Sequence, residues 1–405
     1  MSSAAARQTR RFARKREEIL DAAARLFNTK SLKGTTLADV AQSVDLITTS
    51  LTYYYRRKED LAAACYDQTL AAIGAVADEA AAQAAPEARV RAFCDRYFAM
   101  LSDIARGERP ELVNFYELRA FAGPQREPLF NCYVDLFKRM RRIVRDDARL
   151  SRQQVNARTH LFFSVILWAR TWVRQYEDED YARVGARLAD LLLHGLGDKT
   201  AFAPRLLGVA GQGAASVSEP GPDAFLHAAT LLINEQGYHG ASVEKISARL
   251  NVTKGSFYHH LEAKDDLVAE CFERSFAAIR RTQHAAMALD ASGWTRLSAA
   301  VAELVLFQLS EEGPLLHYMA LAAAPDSMRE GLAANMQRLT NRFAGMIADG
   351  VADGSVRPVD PAIAAQVVNG MVNAAADLAR WAPGATLANA VDLYARPLFA
   401  GLLEP

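Results

Sequence analysis

The feature that most constrains the fold of this 405-residue chain is an internal repeat. When the sequence is shifted by 206 positions, residues 19–73 align with residues 225–279 without a gap, and 15 of the 55 aligned positions are identical. A repeat of this length indicates two copies of one structural unit. We place the first unit at residues 1–198 and the second unit at residues 222–405.

Both units are expected to be all-α. Apolar residues recur every three or four positions, as in Ile19, Ala23 and Phe27, which is the spacing of one helix face. No stretch alternates with a period of two for long enough to form a sheet, and Pro or Gly interrupts the helical pattern. The longest predicted helices are residues 127–147, 153–175, 181–196, 294–311, 326–349, 361–381 and 387–403.

The charge, the cysteines and the hydropathy argue against a metal site, a cofactor and a membrane span. Lys+Arg and Asp+Glu both number 47, so the formal net charge is zero, and the four cysteines are scattered without a C-x-x-C pair. Free thiols in a reducing compartment are the simplest interpretation, without a metal site or a cofactor. The most apolar run, residues 161–169, is much shorter than the ~20 residues that a membrane-spanning helix needs, and no signal peptide is visible. We expect a cytoplasmic protein without a membrane partner.

Positive charge is concentrated at the start of the chain. Residues 1–61 carry 12 Lys/Arg and seven Asp/Glu, whereas residues 222–267 carry four and six. Such a basic arm is a common phosphate-binding device, and the alternative is a solvated, disordered tail. The cations of the arm are Arg7, Arg10, Arg11, Arg14, Lys15 and Arg16.

The repeated core predicts two short helices joined by a tight turn. Apolar residues four positions apart face inward, and Asp45 and Asn251 stand where the turn needs a left-handed residue. Thr36 and Ser242 are suitable N-caps for the first helix of each pair. This is a helix-turn-helix (HTH), whose second helix enters the major groove of DNA.

At this point the chain resembles a known family. Residues 240–267, which include Asn251-Val-Thr-Lys-Gly-Ser-Phe-Tyr-His-His-Leu261, are similar to the DNA-binding signature of the TetR family of bacterial transcription regulators, and so are residues 34–61. The resemblance covers about 50 residues per copy. It implies that each unit has an N-terminal three-helix DNA-binding domain followed by a helical ligand-binding and dimerisation domain. The domains are then the first HTH domain with its arm (1–62), the first regulatory domain (63–198), the linker (199–221), the second HTH domain (222–268) and the second regulatory domain (269–405).

The resemblance also implies which residues contact DNA. Thr52 and Asp45 depart from the tyrosine and glycine that are common in the family, and the second copy lacks a basic arm. Our hypothesis is that the first HTH supplies most of the affinity and the second HTH supplies shape and specificity. Tyr55 and Leu261 are expected in the core. The expected DNA-binding residues are Arg10, Arg11, Arg14, Thr36, Thr48, Thr49, Ser50, Thr52, Tyr53, Tyr54 and Lys58 in the first copy, and Ser242, Lys254, Gly255, Ser256, Tyr258, His259, His260 and Lys264 in the second.

The family's members usually act as homodimers, so two fused units predict an intramolecular pseudo-dimer on an asymmetric double-stranded DNA operator. The alternative is a homodimer of chains that carries four HTHs. The helical body of the first unit (residues 86–197) holds 15 aromatic residues and that of the second (292–403) holds seven. A pocket for a small apolar or aromatic effector is therefore expected in the first unit, although each ring taken alone is more often core. The candidate ligand-binding residues are Phe98, Phe115, Tyr116, Tyr133, Phe163, Trp168 and Trp172, with Arg119, His160 and Arg170 as polar anchors.

The sequence carries no pattern of an enzyme. It has no H-E-x-x-H, G-x-S-x-G, Walker or dinucleotide-binding motif. We therefore expect a ligand-responsive transcriptional repressor rather than an enzyme. The alternative is a protein-interaction module whose two HTHs no longer bind DNA.

Overall fold

The computed structural model agrees with an all-α chain. Among the residues that it describes, secondary structure consists of helices and turns without a β-strand. The described residues are 2–118, 121, 124–146, 149–197, 202–208, 221–237, 240–255, 264–324 and 326–405.

The first unit starts with a long helix that includes the basic arm. The backbone leaves helical geometry at Ser31, where φ is 66°, and α2 and α3 then form the first HTH (residues 36–55). The helix α4 continues through residue 62, so HTH and body are joined by one unbroken helix. The helices are α1 (Ser2–Gly34), α2 (Leu37–Ser43), α3 (Thr48–Leu51), α4 (Lys58–Ala81), α5 (Pro86–Ala105), α6 (Arg126–Val144), α7 (Arg152–Trp172) and α8 (Tyr181–His194).

The second unit repeats this order from α9 onward. Most helices lie close to their predicted positions. The predicted helix 387–403 is wrong in extent, because it begins only with a π-helical turn at Val391–Ala395. It ends before Gly401, whose φ of 110° stops the helix. The helices are α9 (Pro222–Gln236), α10 (Val243–Arg249), α11 (Lys264–Met287), α12 (Gly293–Leu309), α13 (Asp326–Ala352), α14 (Pro361–Ala374), α15 (Leu378–Trp381) and α16 (Arg396–Ala400).

The last helices of the two bodies pack against each other. Helices α7 and α8 contact α14 and the chain around α16, and their side chains belong to one hydrophobic core. Backbone hydrogen bonds join the two layers, among them those from Leu196 N to Phe399 O (3.0 Å) and from Leu402 N to Leu192 O (2.7 Å). Apolar burial of this extent is the main force that holds two helical layers together.

The cores of the two HTHs are connected differently. Ile19 and Leu51 of the first HTH domain lie in a cluster separate from the main core. In the second HTH domain, Phe225 and Ile246 belong to the main core itself. The second HTH is therefore continuous with the body beneath it.

Part of the predicted linker 199–221 packs on the second unit. Phe202 lies 4.9 Å from the ring of Phe399, and the backbone N–H groups of Leu207 and Gly208 donate to the buried carboxylate of Glu303 at 2.9 and 3.3 Å. This stretch is thus fixed to α12, while residues 209–220 lie outside the described part of the chain. In the described helices, none combines the length and the apolar character that a membrane crossing requires.

Candidate nucleic-acid interface and ligand cavity

The two HTH turns have the same backbone geometry. Asp45 and Asn251 have φ values of 55° and 57°, so both turns use the predicted left-handed residue. Thr36 caps α2 with a capping box, because its hydroxyl accepts from Asp39 N (3.1 Å) and its own N–H donates to the Asp39 carboxylate (2.7 Å). Ser242 caps α10 in the same way as a side-chain acceptor, at 3.3 Å from Lys245 N. Both predicted N-caps are confirmed.

The second helix of the first HTH presents hydroxyl and phenol groups to solvent. It begins at Thr48, as predicted, and Thr48 and Thr49 are exposed while Ser50 is half-buried. Tyr53 is 79% exposed, and Tyr55 is buried in the core as expected. Groups that donate and accept hydrogen bonds on a protruding helix suit contact with base edges and phosphates.

The basic arm contacts this HTH through Phe12, Lys15 and Arg16. The ring of Phe12 stacks on Tyr54 with centroids 4.8 Å apart. Lys15 Nζ donates to Val44 O at 2.9 Å, and Arg16 lies 5.8 Å from the ring centroid of Tyr55. These contacts engage the side chains of Lys15 and Arg16 within the protein. They hold α1 beside α3, the second helix of the first HTH.

The remaining cations of the arm and of the next helix are placed as follows. Arg14 is exposed and lies 3.5 Å from Glu18, and Arg11 is exposed. The side chain of Arg10 lies outside the described residues. Lys58 begins α4 and donates one hydrogen bond to Thr35 O at 2.9 Å, which leaves its other two N–H donors for a phosphate.

The remaining residues that we predicted to bind DNA are Thr52 and those of the second HTH. The Thr52 hydroxyl donates to Thr49 O at 2.8 Å. Lys254 and Gly255 are exposed, and Lys254 forms an ion pair with Glu244 that lowers the pKa of that carboxyl to about 2. In the second HTH domain, five predicted DNA-binding side chains lie outside the described part of the chain, namely those of Ser256, Tyr258, His259, His260 and Lys264.

A cavity of about 160 Å³ lies between the two units and is lined by both; we call it the shared cavity. The candidate residues Phe115, Tyr133 and Trp168 line it, as do the proposed anchors His160 and Arg170. Other lining residues come from the second unit and were not predicted. They are Asn234, His317, Met319, Gly370, Asn373, Ala374, Asp377 and Trp381.

The other candidate rings lie elsewhere. Phe98, Phe163 and Trp172 are buried in the core and do not line the shared cavity. Phe98 packs against Gly185, where an added Cβ would come within 2.8 Å of the ring. The side chains of Tyr116 and Arg119 are outside the described residues.

Two equivalent asparagines join the HTH domains to the bodies. Asn28 in α1 donates to Leu112 O (2.8 Å) and accepts from Asn114 N (2.8 Å); we call this the first clasp. Its counterpart is Asn234 in α9, which forms the second clasp. In both clasps one side-chain amide satisfies a carbonyl and an N–H of the same loop, so the helix and the loop move together.

The second clasp repeats the geometry of the first. Asn234 donates to Leu315 O and accepts from His317 N, both at 2.9 Å. Asn234 and His317 also line the shared cavity, as does Asn114 of the first clasp. The sequence analysis missed these asparagines, although identity at the 206-residue offset marks them.

The loop of the first clasp is held further by a cluster of charges. Glu111 is buried, and its carboxylate lies 2.5 Å from Arg174, 3.6 Å from Arg170 and 3.8 Å from Arg25. Arg170 also donates to the carbonyls of Leu112 and Val113. Because Arg25 belongs to α1, the cluster joins the first HTH domain to α7.

Comparisons with known proteins agree with this geometry. The family model described as "Bacterial regulatory proteins, tetR family" matches residues 19–65 and 225–271, and "Tetracyclin repressor-like, C-terminal domain" matches residues 290–381. Among curated proteins, the Transposon Tn10 TetC protein of Escherichia coli is 36% identical over 55 residues, which is 14% of this chain and 28% of that protein. The HTH-type transcriptional repressor DhaR of Mycobacterium sp. (strain GP1) is 26% identical over 130 residues, which is 32% of this chain and 66% of that protein. The matched segments thus span 28% and 66% of the length of these two relatives.

Two solved structures are similar to one unit of the chain. The crystal structure of AibR in complex with isovaleryl coenzyme A and operator DNA is 22% identical, covers 44% of this chain and 97% of that chain, and gives a TM-score of 0.38. The structure of the regulator FadR from Bacillus subtilis in complex with stearoyl-CoA is 18% identical, covers 43% and 96%, and gives a TM-score of 0.35.

The fold and the two HTHs define a helix-turn-helix protein with two helical bodies. The matches of the TetR N-terminal model to both copies then assign the chain: it belongs to the TetR family of bacterial regulatory proteins, with two N-terminal domains in tandem.

Proposed function

We propose that this protein is a DNA-binding transcriptional regulator, a ligand-responsive repressor in which one chain acts as a pseudo-dimer on an asymmetric operator. The observation that carries the proposal is the pair of HTHs with matching turns at Asp45 and Asn251. Two unlike HTHs read two unlike half-sites, because the bases that each contacts depend on its own exposed side chains. Repression is the function in the name of DhaR.

The contact between the bodies supports the pseudo-dimer. Besides the backbone bonds near α16, the Arg187 guanidinium lies 2.6 Å from the Asp360 carboxylate, and Arg357 lies 2.8 Å from Asp190. Arg357 also donates to Gly195 O at 2.6 Å. An interface of this kind within one chain supports the pseudo-dimer over a homodimer of chains.

The proposal is tested by titrating the protein into DNA from upstream of its own coding region and into scrambled DNA of equal length, at about 0.15 M salt. A specific regulator prefers the former by ~10³ or more. Tyr53→Ala is the variant of choice, because this exposed side chain has little role in folding, and the change should weaken operator binding by about tenfold (1.4 kcal/mol). Leu387→Ala is the matched control, because Leu387 is also exposed but lies on the body of the second unit.

Equal, weak binding to both DNAs, followed by failure to select any DNA from a random pool, would instead support the protein-interaction module. In that case Tyr53→Ala and Leu387→Ala would behave alike.

A further inference from the structure

The shared cavity lies directly beside both clasps. The backbone N–H groups of Asn114 and His317 donate hydrogen bonds to the clasp asparagines of the first and second HTH domains, respectively. Both residues also line the cavity. Asn234 lines it as well. A molecule in this cavity therefore touches the loops that hold both HTH domains.

The shared cavity is much larger than the space inside the body of the second unit. In that body, Phe272 and Phe276 leave a space of only about 20 Å³, near the volume that one water molecule occupies. The shared cavity has about 160 Å³, close to the roughly 150 Å³ of a protein cavity that binds benzene. One ring of six atoms fits the shared cavity, and no such ring fits the space in the second body.

Among the described residues, the walls of the cavity are aromatic and polar, and the charged groups that line it already have partners. Phe115, Tyr133 and Trp381 supply flat apolar surfaces, and planar ligands stack on such rings. The guanidinium of Arg170 already faces Glu111 and two carbonyls. The Asp377 carboxylate lies 3.8 Å from His317 Nε2. A charged ligand would lose its hydration without gaining an exclusive counter-charge.

One wall group can donate a hydrogen bond to an acceptor on a ligand. The indole N–H of Trp168 is buried and has no hydrogen-bond partner. A buried donor without a partner is unfavourable by ~1–3 kcal/mol. An acceptor on the ligand would remove that cost, which makes Trp168 a specificity-determining residue.

We propose that the shared cavity is the effector site, that it takes one compact, uncharged, single-ring aromatic molecule with a carbonyl-type acceptor per chain, and that this one molecule acts on both clasps. The link to DNA binding rests on the proposed function above; the binding of the ligand does not.

The first test compares benzamide, benzoate and benzamidine, which have nearly the same size and shape. Benzamide is neutral with one carbonyl acceptor, benzoate is an anion with two acceptor oxygens, and benzamidine is a cation without an acceptor. The chain has four tryptophans, and their indole ¹⁵N–¹H resonances are followed by NMR during each titration of the full chain without DNA. We expect benzamide to shift Trp168 and Trp381, one from each unit, along a single binding curve, while Trp294 stays unchanged. Benzoate and benzamidine should bind at least about tenfold more weakly (1.4 kcal/mol).

Equal or tighter binding of either ion would overturn the assignment of an uncharged ligand. Separate binding curves for Trp168 and Trp381, or no response to benzamide at millimolar concentration, would overturn the shared site.

The second test removes the proposed hydrogen bond. Trp168→Phe keeps an aromatic plane but loses the N–H, and should weaken benzamide binding about tenfold (1.4 kcal/mol), read from the Trp381 resonance. Trp172→Phe is the matched control, since its indole N–H is also buried without a partner but does not line the cavity. Equal losses in the two variants would contradict the role of Trp168.

These tests separate the two proposals. Because the titrations contain no DNA, failure of benzamide to bind overturns the effector site and leaves operator binding as a separate question. Conversely, a protein that binds benzamide but shows no preference for any DNA retains the site and loses the proposed function.

Discussion

The junction between HTH and body contains a buried carboxylate in the first unit and an exposed one in the second. In the first, Arg25 of α1 and Arg170 of α7 meet around the buried Glu111. At the 203-residue offset that aligns the two clasp loops, Pro314 corresponds to Glu111 and Asn373 to Arg170. Three arginines around one carboxylate fix the first HTH domain. The second domain is held there by Asn234 and by an ion pair in which Asp223, with a side chain that is 79% exposed, lies 2.9 Å from Arg274.

This difference assigns unlike roles to the two HTHs. A junction with an exposed ion pair opens at a lower free-energy cost than one that must separate a buried carboxylate from its arginines. The second HTH is therefore the one that we expect to respond to an occupant of the shared cavity. We expect the first HTH, with its arm, to keep the protein on DNA.

The largest effect is expected when the charge cluster is broken. Glu111→Ala leaves the buried Arg170 without its counter-charge, and removal of one partner of a buried pair costs about 3–5 kcal/mol. Chemical denaturation should show this loss in the free energy of unfolding. Glu79→Ala, which removes an exposed ion pair with Arg96, is the control and should cost about 0–1 kcal/mol. Equal losses would mean that the cluster does not fix the first HTH domain.

The clasps provide a matched pair of variants. Asn234→Ala leaves Leu315 O and His317 N without partners, so we expect the opening free energy of α9 and α10 to fall by about 1–3 kcal/mol. Asn28→Ala should lower that of α1 and α2 by less, since the charge cluster still holds them. Hydrogen exchange of the backbone amides measures both. A larger effect in the first unit would reverse the assignment of the mobile HTH.

Removal of the arm tests which HTH supplies affinity. Deletion of residues 1–11 takes away Arg7, Arg10 and Arg11 but keeps the stacking of Phe12 on Tyr54. Operator binding should weaken, and the slope of log K against log salt should decrease by ~0.9 for each phosphate that the shortened protein no longer neutralises. Lys254→Met in the second HTH is the comparison and should change the slope by ~0.9 at most. An unchanged slope after the deletion would contradict a DNA-binding role of the arm.

The smallest effect concerns the ion pair of the second HTH. Lys254 holds the pKa of Glu244 at about 2, below its ordinary value of 4.5. Since the pKa is lowered, the pair favours the folded state above pH 4.5, and this contribution is lost as the pH falls towards 2. In Lys254→Met the pKa of Glu244 should rise towards 4.5, as followed by NMR of the carboxyl carbon. Lys245→Met, which removes a lysine that binds Gln236 and Gly240 instead, should leave it unchanged.

Local rules were enough to predict much of this fold. The 206-residue repeat indicated two units, the caps Thr36 and Ser242 were identified from residue type, and Asp45 and Asn251 were placed in left-handed geometry because few other residues accept it. The apolar periodicity located the long helices because each buries one face.

The shared cavity could not be predicted in the same way. The number of aromatic residues predicted a cavity in the first unit. Two residues that line the shared cavity, Trp381 and His317, belong to the second unit. Their position depends on how two bodies pack, and no local pattern encodes the proximity of residues some 200 positions apart. For the same reason Phe98 and Trp172 could not be told from cavity-lining rings by sequence alone.

The central claim is that one chain with two unlike HTHs, joined at the shared cavity, is the complete DNA-binding unit. Sedimentation of the protein bound to a saturating amount of operator DNA, combined with a footprint, tests it most directly. We predict one 44.3-kDa chain per operator, with protection of two unequal half-sites about one helical turn apart. Two chains per operator, or two identical half-sites, would contradict the claim.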